Sequence, residues 1–211
     1  MIRTAVCDLL DIEHPIALGG MGSATSPALV AAVSKAGGLG ALGCHYLSPA
    51  QINERTAAIR LETNKPFGLN FLTFDTREDS FAAALELRPA VMQFAWARPD
   101  QDLKAYSDRA HDAGSKVTYM AGTVSEAARA AKAGVDIIIA QGTEGGGHVG
   151  WMGNMPLIPS VPWRRDGRQT RRRRDVLLRV LLSSDMGGSF FAALRMSKNL
   201  EASLRLPVVT P

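Results

Sequence analysis

The 211-residue chain has only two cysteines, Cys7 and Cys44, too few for a disulfide framework or a cysteine-based metal site. Its four histidines, His14, His45, His111 and His148, show no metal-ligand spacing either. No apolar run approaches the roughly 18 residues that a membrane-crossing helix requires. Met1 to His14 is interrupted by Arg3, Asp8, Asp11 and Glu13, so it contains no signal-peptide apolar stretch. These absences predict a cytoplasmic chain with no metal and no membrane contact. Hydrophobic residues make up 46% and charged residues 21%, which excludes disorder, collagen and coiled coil and fits one domain with a sizeable core.

The net charge of +4 is unevenly spread. Residues 162–211 hold 11 Lys+Arg against 4 Asp+Glu, while residues 1–161 hold 13 against 16. Arg164, Arg165, Arg168 and the run Arg171 to Arg174 crowd the start of the basic segment. Such a shift marks either a basic tail or a segment foreign to the fold. No aromatic platform or known module accompanies the arginines, which argues against a nucleic-acid partner.

From residue 15 to 141 strand-like and helix-like segments alternate. Apolar runs fall at Pro15–Leu18, Leu39–Leu42, Gly68–Leu72, Ala90–Phe94, Val117–Met120 and Val135–Ala140. Ser26-Pro27 and Ser48-Pro49 each read as an N-cap followed by proline at the first helical position. Further helices are expected over Asp79–Leu87, Asp100–Ala113 and Ser125–Ala133, the last two stopped by Gly114 and Gly134. Strands apolar on both faces, recurring about every two dozen residues, predict a parallel sheet of βαβ crossovers. An open nucleotide-binding sheet places a Gly-x-Gly-x-x-Gly turn after its first strand. Here Gly19-Gly20-Met21-Gly22-Ser23-Ala24 lacks the third glycine. The expectation is therefore an α/β fold of (β/α)₈ TIM-barrel type with six clear units.

After Pro159 this rhythm fails, and the last two units are expected to be missing or degenerate. The domain reading is a barrel portion over residues 1–161 and an anomalous basic segment over 162–211. Without closure, six units leave two exposed parallel-strand edges.

Barrel active sites form at the C-terminal ends of the strands. The unusual residues assigned there are Gly20, Met21 and Gly22 after the first strand, Asn70 after the third, Gln93 at the fourth and Lys116 at the fifth. After the sixth comes Gln141-Gly142-Thr143-Glu144-Gly145-Gly146-Gly147-His148. Taken singly, a buried amide more often satisfies neighbouring backbone than a ligand, and a methionine more often fills core. Three consecutive glycines cost backbone entropy and add no packing, which suggests close approach of a ligand. His148 follows them directly and can exchange protons near neutral pH. His111 lies on a polar helix face with no carboxylate at useful spacing.

The stretches HPIALGGMGSATSPALVAAVSKAGGLGALG, KPFGLNF and AGVDIIIAQGTEGGGHVG together resemble the nitronate monooxygenase family. The resemblance spans roughly residues 5 to 160. It implies an FMN-dependent barrel that oxidises alkyl nitronates, or nitroalkanes, with O₂. Carried across, it puts Gly20, Met21 and Gly22 beneath the flavin, with Asn70 and Lys116 hydrogen-bonding toward it. Gln141, Gly145, Gly146 and Gly147 line the cofactor, and His148 is the catalytic base. FMN-type enoyl-ACP reductases share the barrel and similar motifs, so that activity stands as the alternative, with an inactive barrel fragment as a third.

The family holds the FMN phosphate by a Gly-Gly-Ile-type loop after strand seven and a Gly-Thr-type turn after strand eight. No segment of residues 162–211 matches these in order, and Met186-Gly187-Gly188-Ser189 is the nearest fragment. The expectation is a loss of reading frame near Val161, with weak FMN binding and little activity in the chain as it stands.

Overall fold

In the computed structural model, residues 3–161 are described in full, together with the backbone of two later strands. Helix α1 (Ala5–Leu10) precedes β1 (Ile16–Leu18), α2 (Pro27–Lys35), β2 (Gly40–Gly43), α3 (Pro49–Glu62) and β3 (Phe67–Leu72). Then come α4 (Glu78–Glu86), β4 (Val91–Ala95), α5 (Leu103–Asp112), β5 (Lys116–Ala121), α6 (Val124–Lys132), β6 (Ile137–Ala140) and α7 (Asn154–Ser160). The two later strands are β7 (Asp175–Val180) and β8 (Phe190–Leu194).

Strands β2 to β7 lie side by side in chain order, each pair parallel. Strand β8 pairs with β7 and β1, antiparallel to both. The ring then closes, because Leu18 N–H donates to Leu39 O at 2.8 Å and Leu39 N–H donates to Ile16 O at 2.9 Å. The six units of residues 15–141 are thus parallel throughout, as the apolar runs predict. The exposed sheet edges expected from six units are not there, since β7 and β8 fill the gap. The eighth position is nevertheless degenerate, because a (β/α)₈ barrel has all strands parallel. The Arg171–Arg174 run and Met186–Ser189 lie outside the described residues.

Helix starts follow the expected chemistry. Ser26 Oγ accepts from Leu29 N–H, and Ser48 with Gln51 forms a capping box, as does Thr123 with Glu126. Asp102 accepts from the backbone N–H of Lys104 and Ala105. Each cap of this kind contributes about 1 kcal/mol.

Side chains alternate across the sheet and give two cores. The outer core, between strands and helices, buries Phe71, Phe81 and Phe94, with Tyr106 and Arg109 packed on the Phe81 ring. The inner core sits at the start of the strands. There Val6, Cys7 and Leu10 of α1, with Ile12, pack on Ala17, Leu39, Val91, Ile137 and Ile139 and close that end of the barrel.

Candidate active site

Because Leu39, Val91, Ile137 and Ile139 face inward, period two also turns Gly43, Gln93 and Gln141 inward. Backbone register aligns Gly43, Asn70, Gln93, Thr118 and Ile137 as successive partners across β2 to β6. Three neighbours in this row are polar and nearly sealed from solvent: Asn70 at 5%, Gln93 at 6% and Thr118 at 2% exposure. The Thr118 hydroxyl is buried with no hydrogen-bond partner among the described residues. No side-chain hydrogen bond joins the Asn70 or Gln93 amide to another described residue. Since buried polar groups are normally satisfied, such a row points to a missing polar partner.

The glycines beside this row have definable reasons. A Cβ on Gly20 would overlap the Asn70 side chain, and one on Gly43 would overlap the backbone of Gly22. The turn after β1 is therefore pressed onto the ends of β2 and β3. Met21, at the same turn, is partly buried against the outer core.

The loop after β6 is tied at both sides. Gln141 Nε2 donates to Gly146 O at 3.1 Å, and a Cβ on Gly145 would crowd that amide. Gly147 has φ of +74°, a left-handed backbone that glycine adopts without cost. Asn154 Oδ1 accepts from Gly142 N–H at 2.6 Å, and the Glu144 carboxylate accepts from Asn154 N–H. Two of the three consecutive glycines are thus explained by the protein itself, without a ligand.

Above the row stands a ring of aromatics and histidines. Phe74, in the 3₁₀ turn after β3, lies between His45 (5.7 Å between centroids) and His148 (6.5 Å). Trp96, directly after β4, packs edge-on against His148 at 5.7 Å. Tyr46 and Trp96 have φ of +66° and +58°, which is rare for bulky side chains. Such residues cost about 1–3 kcal/mol each and cluster at functional sites. Burial holds the His45 imidazole below the usual histidine range; Asp75 opposes this and nearby His148 reinforces it. Burial pushes the Cys44 thiol up to about 12, so it is no nucleophile near neutral pH.

The nitronate monooxygenase family profile matches residues 3–87 and 80–163. The chain belongs to this family.

A Rhodococcus jostii protein named (3aS,4S,5R,7aS)-5-hydroxy-7a-methyl-1-oxo-octahydro-1H-indene-4-carboxyl-CoA dehydrogenase is 34% identical, over 76% of this chain and 44% of its own length. A probable nitronate monooxygenase of Staphylococcus aureus is 28% identical, over 75% of this chain and 57% of its own. The solved structure of FabK from Thermotoga maritima superposes with a TM-score of 0.72 at 33% identity, covering 84% of this chain and 54% of that one. The chain spans about half the length of the curated relatives it matches.

Set against the site residues that the family resemblance implies, the structure gathers Gly20, Met21, Gly22, Asn70, Gln141, Gly145, Gly146, Gly147 and His148 at the rim where the parallel strands end. Lys116 is a correction. It is the first residue of β5, so it lies at the opposite rim, about 16 Å of strand from Ala121. Its ammonium is about half exposed and lies 4.0 Å from Asp136 Oδ1. A side chain placed there cannot bond toward a ligand at the strand ends. His111 is a second correction, because the fold supplies the carboxylate that its helix lacks: Asp136 Oδ2 is 2.7 Å from His111 Nε2. In the candidate site, register aligns Gln93, already singled out at its strand end, with Thr118, which sequence reading missed. Phe74 and Trp96 join it through turns that the sequence does not single out.

A planar group carrying alternating donors and acceptors fits the Asn70–Gln93–Thr118 row, where it would satisfy the orphaned hydroxyl and both amides. The flavin ring is such a group.

Proposed function

We propose that this chain carries the flavin-binding part of an FMN-dependent oxidoreductase that oxidises alkyl nitronates with O₂ in the cytoplasm. The observation that carries this reading is the buried polar row Asn70–Gln93–Thr118, whose Thr118 hydroxyl has no hydrogen-bond partner among the described residues, set beside the glycine turn and under His148. FMN, when bound there, would supply a two-electron redox centre between the substrate and O₂. Asn70, Gln93 and Thr118 would hold its polar edge; Gln141 fixes the loop that carries His148. His148 takes the α-proton of a neutral nitroalkane, and its protonated form holds an anionic nitronate. Among the described residues no helix is long and apolar enough to cross a membrane.

The test is His148→Asn, followed by the reductive half-reaction with neutral nitroalkane and pre-formed nitronate, with bound FMN quantified. The neutral substrate should slow by about 10²–10⁴-fold with FMN retained, and the nitronate should slow less. Equal rates on the neutral substrate would return His148 to an ordinary loop residue.

A second reading, an enoyl-thioester reductase on the same barrel, is kept open by the Rhodococcus relative, which is named a carboxyl-CoA dehydrogenase, a name that points to a CoA thioester rather than a nitronate. Stopped-flow reduction by NADPH rather than by nitronate would select it. Colourless purified protein would favour the third reading, an inactive fragment. The same proposal takes the reading frame to be lost near Val161, supported by a family match that ends at residue 163 and by the antiparallel β8. An intact frame on resequencing, with no family motif recoverable in the other frames, removes that part alone.

A further inference from the structure

Trp96 occupies its left-handed backbone under restraint from several directions. The N–H of Ala97, next in the chain, donates to the Tyr119 hydroxyl at 3.1 Å. Tyr119 is itself sealed in the outer core at 1% exposure. The Arg129 guanidinium, reaching across from α6, donates to Ala97 O at 3.4 Å and to Gln101 O at 2.8 Å. Gln101 then ties the segment back to the turn after β3: its side chain donates to Thr73 O and accepts from Arg98 N–H, both at 2.8 Å. Thr73 Oγ1 donates to Ala95 O, which closes the network at the end of β4.

This network holds the indole against His148. The histidine needs such a wall. It is exposed, follows glycine at a left-handed position, and its imidazole has no hydrogen bond among the described residues. Ring contacts with Trp96 and Phe74 are what orient it. A tryptophan serving only as cover over β4 would have no reason to keep a strained backbone, and strain persists only where surrounding structure over-determines it.

We propose that Trp96 is a positioning residue for His148, aimed by the Tyr119–Ala97–Arg129 latch so that its indole fixes the direction of the imidazole. The catalytic meaning of this placement rests on the reading of His148 as the base; the placement itself does not. A residue that sets geometry without touching substrate can still cost up to about 100-fold when it is lost.

The test uses the full chain as isolated and the His148 Cε1–H resonance, identified by its disappearance in His148→Asn. In Trp96→Gly, which relieves the backbone strain and removes the indole, the resonance should move toward its unstructured position. Trp96→Phe keeps a ring at the same place and should restore most of the shift. Tyr119→Phe leaves the indole present but frees Ala97 N–H, and should move the resonance in the same direction by a smaller amount. In the flavin-loaded enzyme, Trp96→Gly should lower the rate on neutral nitroalkane roughly 10- to 100-fold with little change in substrate affinity. A His148 resonance unmoved in both Trp96→Gly and Tyr119→Phe overturns the proposal, whatever the rates. A resonance that moves while His148→Asn leaves the rate untouched supports the placement and counts only against the catalytic role of His148.

Discussion

The two rims of the barrel are built on opposite terms. Where the strands begin, α1 fills the opening with Val6, Cys7 and Leu10, and the charged groups are paired: His111 and Lys116 both face Asp136, which also accepts from Val117 N–H. Where the strands end, the Thr118 hydroxyl is buried without a hydrogen-bond partner among the described residues, and Tyr46 and Trp96 hold left-handed backbones. At the first rim Asp136 is paired with its neighbours and α1 covers the apolar opening. Left-handed non-glycine residues occur on both sides, Asp11 and Arg88 ahead of strands as well as Tyr46 and Trp96 after them, so the unpaired Thr118 hydroxyl in the polar row is what marks the rim suited to a ligand. Polar residues occur at both rims, so polarity alone does not distinguish them; whether each polar group finds a partner does.

The sharpest way to test this contrast is to damage the closed rim. Leu10→Ala should destabilise the protein by about 2–5 kcal/mol, because a buried side chain is removed from a packed plug. Denaturant titration measures it, and a change below about 1 kcal/mol would show that α1 is not a structural plug. Asp136→Asn, next in size, weakens three interactions at once and should cost about 1–3 kcal/mol while leaving flavin binding unchanged. Impaired flavin binding in that variant would break the division between rims. At the open rim the sign should reverse. Thr118→Val removes a buried hydroxyl without a partner and should raise stability by about 1 kcal/mol while weakening flavin retention. A loss of stability in the apo-protein would mean the hydroxyl is satisfied after all. The smallest effect belongs to Lys116→Met, expected within about 0.5 kcal/mol in stability and neutral for flavin affinity. A marked drop in FMN binding would restore Lys116 to the cofactor site.

Most of the barrel was readable in the sequence because its strands are buried on both faces, and its first two main helices start at Ser-Pro pairs. Helix α1 was not, since AVCDLL is short and broken by Asp8, and it folds only because the barrel offers an apolar opening. Helix α7, NMPLIPS, is hidden by Pro156 and Pro159. At the site, His148 and Asn70 are visible through motif and Gln93 through its strand-end position, whereas Thr118 acquires meaning only from strand register. Lys116 stands in front of its apolar run, so its position assigns it to the strand start; both the strand-end reading and the resemblance misplaced it. Trp96 carries no sequence signal at all, because a tryptophan at positive φ is imposed by the Tyr119 and Arg129 hydrogen bonds around it.

The α1 plug also bears on the order of events. With a floor of buried Val6, Cys7 and Leu10, the barrel has one doorway through the described residues. A group seated on the Asn70–Gln93–Thr118 row must enter before anything that rests above it, and must leave after it. With flavin seated there as proposed, the α1 floor leaves the strand-end side as the way in among the described residues, so a group resting above the flavin would have to arrive after it.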